Sequence, residues 1–203
     1  MVLAPDIPAA RGALLLTPPE RLAVATEDAA WDIGIRFRKA MFRSRFARRR
    51  IVKGVRAQRG RLLNLSATEL IEVAGVAGAK LRTQALSIHG LIGVMVVVDE
   101  ALFRAKGFRF HDSQLEAGLL LSTGHIVEMA TGEGKTLTAA LPIAVHALAG
   151  CNTHVVTVND YLAERDAEEA REVLDLLGIE VACVTHESEP GAKRASYGAA
   201  VTY

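Results

Sequence analysis

A chain of 203 residues, half of them hydrophobic and 23% charged, with a net charge of +1, reads as soluble and globular with ample material for a core. Its longest apolar run, residues 91–98, is far short of the ~20 residues that a membrane-spanning helix needs. The two cysteines, Cys151 and Cys183, lie far apart without Cys-x-x-Cys spacing, which argues against a disulfide framework or a zinc site and fits a reducing compartment.

The near-neutral total conceals an asymmetry. Twelve basic residues fall between Arg36 and Arg61 with no acid among them, which leaves 12 basic against 23 acidic residues elsewhere. Residues 1–33 are rich in Ala and Pro, carry Asp6 early and have no basic region ahead of an apolar core. They do not resemble a signal peptide, and an ill-ordered tail is expected there.

Residues 34–106 are expected to form a basic, helical segment. Ser66 with Glu69 three positions on is a capping-box signature, and Val94, Val98, Ala101 and Leu102 recur at helical spacing. Within this stretch Met95 to Glu100, four apolar residues followed by Asp99-Glu100, imitates the acidic strand that binds Mg²⁺ in nucleotide-driven motors. It precedes the phosphate-loop sequence instead of following it, and its apolar positions continue at helical spacing, so a helix is expected.

Residues 107–203 carry the most informative stretch, Glu128 to Thr136, which reads E-M-A-T-G-E-G-K-T. It lies between the strand-like His125-Ile126-Val127 and a strong helix former from Leu137 to Leu148, the context expected of a phosphate-binding loop. Gly132 and Gly134 can adopt backbone angles closed to other residues, which lets successive N–H groups turn inward around an anion. The helix beginning near Lys135 adds the positive end of its dipole. In such a loop Lys135 reaches the β- and γ-phosphates and the Thr136 hydroxyl ligates Mg²⁺. Met129 stands where the stricter pattern has Gly, so the match is to the relaxed A-x-T-G-x-G-K-T form.

Strand, loop and helix then alternate. Strands are expected over residues 126–129, 153–158, 179–184 and 200–203. Helices are expected over 136–149, ended by Gly150, and from an Asn159-Asp160 cap to Leu177, ended by Gly178. Continuously apolar strands joined by helices predict an α/β fold with a parallel, doubly wound sheet. The six histidines show no metal-ligand spacing.

With the loop placed, a family resemblance becomes visible. Residues 126–137, I-V-E-M-A-T-G-E-G-K-T-L, followed by residues 154–168, H-V-V-T-V-N-D-Y-L-A-E-R-D-A-E, closely resemble the first nucleotide-binding domain of the SecA family of bacterial preprotein translocase ATPases. The second block is far more specific than a phosphate loop. The resemblance is strong over residues 107–203 and weaker before. It implies a RecA/helicase-like P-loop sheet, incomplete here and preceded by the helical segment. It also implies that ATP is bound with Mg²⁺, with Gly132, Glu133, Gly134, Lys135 and Thr136 around the phosphates. Residues 107–114 resemble the family segment ending in D-V-Q, whose Gln reads the adenine edge. That role passes to Gln114, whose amide can donate and accept at once. The aromatic that should precede Asp112 is displaced to Phe110, with His111 in its place. Asp160 and Asp166 lie in the family's coupling block, but a helix cap and a surface turn account for them equally, and neither is taken as catalytic.

The implied partners are a SecYEG-type channel, an unfolded preprotein and an anionic membrane surface, with a location in the cytoplasm and on the cytoplasmic face of the inner membrane. The basic run also permits a nucleic-acid-dependent ATPase of the helicase superfamily, or a merely solvated surface. A motor of this kind needs an Asp-Glu pair after the phosphate loop and an arginine from a facing domain. Neither is present by Tyr203, so no catalytic residue is expected in this chain, which is read as an N-terminal piece without turnover of its own.

Overall fold

From Val94 to Leu102 every residue is buried, and the helix that contains them is the axis of the structure. The computed structural model of the chain describes residues 2–5, 44–84 and 87–203. Strand β1 is Val2–Pro5, and the helical part comprises α1 (Arg45–Gln58), α2 (Ala67–Gln84) and α3 (Ile88–Lys106). Helices α4 (Asp112–Ser122) and α5 (Lys135–Leu148) flank the phosphate-loop sequence. They are followed by β2 (Thr153–Val156), α6 (Asp160–Leu174) with a 3₁₀ turn (Asp175–Leu177), β3 (Val181–Ala182), α7 (Pro190–Ser196) and β4 (Val201–Thr202).

A helix that is apolar on all sides must be covered on all sides, and α3 packs against α1, α2, α5 and α6. The expected capping box starts α2. Ser66 Oγ accepts from the Glu69 N–H at 3.3 Å, and the Glu69 carboxylate accepts from the Ser66 N–H at 2.7 Å. Helix α3 is capped by Ser87, whose hydroxyl accepts from the Gly90 N–H, and ends at Gly107. Helix α6 begins as expected, with the Asn159 side chain accepting from the Leu162 N–H at 2.9 Å. Its inner face is Ala163, Ala167, Ala170, Val173 and Leu174, and the 3₁₀ turn ends at Gly178.

The sheet order is β1-β2-β4-β3. Strands β2, β4 and β3 are parallel, with His154 opposite Thr202 and Val181 opposite Val201. Parallel strands connected through helices, behind a helical N-terminal segment, give the expected α/β arrangement. Two details differ from expectation. Residues 126–129 are not a strand. They have no regular secondary structure and no ladder partner among the described residues, and Ile126 is fully exposed. The outer edge of β2 is instead held by β1, which runs antiparallel from Val2 opposite Val156 to Pro5 opposite Thr153. An open edge of N–H and C=O groups accepts any strand that reaches it, so residues 2–5 are ordered where a loose tail was expected. The rest of that tail and the beginning of the basic segment, residues 6–43, lie outside the described residues.

Candidate nucleotide site between helices α4 and α5

Gly134 is the N-cap of α5 and adopts left-handed angles, φ +75° and ψ +44°. Gly132 is likewise at φ +86°. These two left-handed residues turn the chain into the first turn of the helix. The loop also closes on itself. The Glu133 N–H donates to the Ala130 carbonyl at 3.3 Å, and the Ala130 N–H donates to the Glu133 carboxylate at 3.0 Å. The Gly134 carbonyl accepts from both the N–H and the hydroxyl of Thr138, each at 2.9 Å, which fixes the first turn of α5. The N–H groups at the start of that turn have no acceptor within the helix and face the loop. Lys135 is exposed and Thr136 half-buried, so an ammonium and a hydroxyl stand beside those free donors.

Gln114 is brought to the same place by α4. Its Nε2 donates to the Glu133 carbonyl at 2.9 Å, and its Oε1 accepts from the His111 N–H at 2.9 Å. A primary amide has two donors and two acceptor lone pairs, so one of each is left over for a ligand. Helix α4 reaches the loop because Gly118 lies against Leu141 of α5. A Cβ on Gly118 would fall 2.7 Å from that of Leu141, so only a residue without a side chain permits this approach.

The displaced aromatic does not serve a base. Phe110 is 2% exposed and packs in the core, while His111, exposed at the N-cap of α4, occupies the position beside the site. Periodicity could not distinguish these two, because both precede the helix.

Asp99 and Glu100 lie within α3 as expected, with side chains 1% and 2% exposed, and they are fully engaged. Asp99 pairs with Arg59 and Arg109, and Glu100 with Arg104 and Arg109. Burial alone would lower the Arg109 pKa, but its hydrogen bonds to Glu100 and Asp99 and their charges outweigh that and raise it. The three arginines were not picked out from the sequence. The available signal was two carboxylates inside an apolar helix, which can be buried only with cationic partners. Of the two aspartates in the block after β2, Asp160 accepts from the His186 N–H at 2.9 Å and holds the loop after β3, and Asp166 pairs with Arg165.

A cleft of about 290 Å³ opens at the ends of β2 and β4, lined by residues that include Asn159, Tyr197 and Tyr203, and shares no lining residue with the phosphate loop. Among the described residues no group of His, Cys, Asp and Glu could hold a metal ion by itself. The residues do fit Mg²⁺ held jointly with phosphate oxygens, because such a cation takes few protein ligands. Cys151 and Cys183 are free and half-buried, and burial raises both thiol pKa values. Among the described residues no helix is long and apolar enough to cross a membrane.

A Gly-x-Gly-Lys-Thr sequence whose second glycine is a left-handed helix cap, beside parallel strands joined by helices, places the chain in the class of phosphate-loop domains. Comparison with known proteins narrows that class. The family model described as the SecA DEAD-like domain matches residues 36–203, and the chain belongs to the SecA family. It is 38% identical over 162 residues to the protein translocase subunit SecA of Granulibacter bethesdensis, covering 74% of this chain and 18% of that protein. It is 50% identical over 104 residues to protein translocase subunit SecA 2 of Rhodopirellula baltica, covering 51% of this chain and 16% of that protein. Against the SecA of Mycobacterium avium the identity is 43% over 140 residues, covering 65% and 18% respectively. The chain thus spans less than a fifth of the length of these relatives.

Proposed function

We propose that this chain is the nucleotide-gripping portion of a SecA-type ATPase that drives preproteins across the membrane through a SecYEG-type channel. The observation that carries the reading is the convergence on one loop of free α5 N–H groups, exposed Lys135 and the Gln114 amide. Lys135 and the loop amides of Gly132, Glu133 and Gly134 hold the phosphates, and the Thr136 hydroxyl contributes to Mg²⁺. The spare donor and acceptor of Gln114 match the adenine N7 and N6. The bound Mg²⁺ neutralises phosphate charge.

Turnover requires more than this grip. The Asp99-Glu100 pair is consumed by three arginines inside the helical part, so it cannot serve as the metal-binding acid. The chain by itself therefore binds ATP without hydrolysing it. The unfolded preprotein, the channel and an anionic membrane surface are the partners of the whole motor, which works in the cytoplasm and at the cytoplasmic face of the inner membrane. The exposed basic side chains of α1, beside Phe46 at 79% exposure, suit acidic lipid. A helicase-type role on nucleic acid is less well supported, since the relatives above are named protein translocase subunits.

Titration of the 203-residue chain with a fluorescent ATP analogue and Mg²⁺ tests the grip. Saturable binding that Lys135→Ala abolishes is expected. Binding unaffected by that change, or hydrolysis that it abolishes, overturns the reading.

A further inference from the structure

Arg59 and Asp99 are not among the residues proposed to contact the nucleotide, yet both are committed to a single short piece of backbone. Asp99, in the middle of α3, accepts four hydrogen bonds. Arg59 gives it two, at 3.0 and 2.9 Å, Arg109 one at 2.8 Å, and the Phe110 N–H one at 3.1 Å. Arg59 Nη2 also donates to the Phe110 carbonyl at 2.6 Å. The peptide groups on both sides of Phe110 are therefore clamped, one by the carboxylate and the other by the guanidinium. Arg59 can do both because its planar fork presents several donors in fixed directions.

The next residue is His111, whose N–H donates to Gln114 Oε1, and Gln114 Nε2 donates to the Glu133 carbonyl. The orientation of the Gln114 amide is thus the last link of a continuous chain from Arg59 at the end of α1, through Asp99 and Phe110, to the phosphate loop. An amide read by a purine edge discriminates only while its oxygen and nitrogen stay on their assigned sides; turned over, it offers a donor where adenine's N6 also donates.

We propose that Arg59 and Asp99 are positioning residues for base selection, holding the Phe110–His111 backbone so that the Gln114 amide faces a purine in the orientation that favours adenine over guanine. The inference rests on the reading that nucleotide binds at the phosphate loop with its base at Gln114. A purely structural ion pair would give a different signature. Its loss would weaken ATP, GTP and bare phosphates together, in step with thermal stability.

The test is competition binding on the 203-residue chain with ATP, GTP and inorganic tripolyphosphate, the last reporting the loop alone. Arg59→Gln keeps the length of the side chain but removes the charge and the fork. It is expected to reduce the ATP-over-GTP preference about tenfold, the worth of roughly one misplaced hydrogen bond, with tripolyphosphate affinity unchanged within about twofold. Arg59→Lys retains the charge beside Asp99 without gripping the Phe110 carbonyl. It is expected to lose the preference likewise, with a smaller fall in melting temperature than the Gln variant because the buried carboxylate keeps a cation beside it, and it decides the matter if the Gln variant does not fold. An unchanged preference in a folded variant overturns the proposal, as does a parallel fall for all three ligands or a wild-type chain that binds ATP and GTP alike. A wild-type chain that binds none of the three instead overturns the nucleotide reading on which the proposal stands.

Discussion

Gly134 and Gln114 exclude anything between them: a Cβ placed on Gly134 would lie 2.7 Å from Gln114 Nε2, the nitrogen that donates to the Glu133 carbonyl. The Gly132–Lys135 loop and helix α4 are in direct contact, and the bare backbone of one glycine makes that contact possible. Gly134 also stands at φ +75°, a conformation that a side chain resists.

Gly134→Ala therefore combines two effects. The left-handed angle costs roughly 1–2 kcal/mol, which in a chain of this size lowers Tm by about 2–8 °C. The methyl group also displaces Gln114 and breaks its bond to the loop. Gly132→Ala is the matched control. It stands at φ +86° but a Cβ there meets nothing within 4 Å, so only the first effect applies. Comparable melting temperatures are expected for the two variants, with the larger loss of ATP affinity in Gly134→Ala. Equal losses of affinity would show that the Gln114 contact has no bearing on binding.

Ser66→Ala removes the acceptor that caps α2 far from the nucleotide site. Loss of such a cap costs about 1 kcal/mol, and a fall in Tm of roughly 2–4 °C by calorimetry is expected with ATP affinity unchanged. A change in affinity would mean that α2 is coupled to the loop along α5, whose far end it meets where Arg82 donates to the Leu148 carbonyl.

The caps and stops were legible because each is a local event. Ser66, Asn159, Gly150 and Gly178 act on backbone groups within a few residues. The helical nature of Asp99-Glu100 was legible for a similar reason, since apolar spacing reports the burial of one element. Residues 126–129 failed as a strand because membership of a sheet depends on a neighbouring edge, and the edge of β2 is taken by residues 2–5, distant in sequence. The fate of Phe110 and the partners of Asp99 were hidden for the same reason. Arg59 lies 40 residues from Asp99, and nothing in the spacing of either announces that they meet. Gly118 is a comparable case, an unremarked residue whose missing side chain sets the distance between α4 and α5.

His146, near the end of α5, is half-buried, and that burial depresses its pKa below the ordinary 6.5. The folded protein thus keeps the ring neutral at a pH where the unfolded chain would protonate it. The unfolded state binds more protons as pH falls through about 6.5, so stability declines toward acid from that point until the folded-state pKa is reached; above 6.5 the group has no effect on the slope. His146→Gln removes this term. The fall in Tm between pH 7.5 and 5.5 is expected to be smaller in the variant than in the wild type. Parallel pH profiles would show that the ring titrates freely in the fold.

The described basic residues from Arg45 to Arg59 fall into two sets with different expected consequences. Arg48, Arg56 and Arg59 are held by Glu116, Asp112 and Asp99, so part of the counter-charge is supplied inside the chain. Arg45, Arg49, Arg50 and Lys53 are exposed on α1, whose Ile51, Val52 and Val55 face the core. Among the described residues of α1, this second set can meet an external surface without giving up an ion pair within the chain. Each basic side chain near anionic lipid contributes about 1 kcal/mol, so replacing all four by Gln should lower partitioning onto phosphatidylserine vesicles by roughly 10²–10³-fold. Raising the salt concentration should weaken wild-type binding in the same sense, because these contacts are screened beyond about 10 Å at 0.1 M. Flotation with vesicles measures the effect, and a gel shift with single-stranded RNA is its counterpart. Retention on vesicles by the fourfold variant would move the lipid contact away from α1. Binding to RNA without flotation would favour a nucleic-acid role over the translocase reading, since the same four charges would then be neutralised by a phosphate backbone.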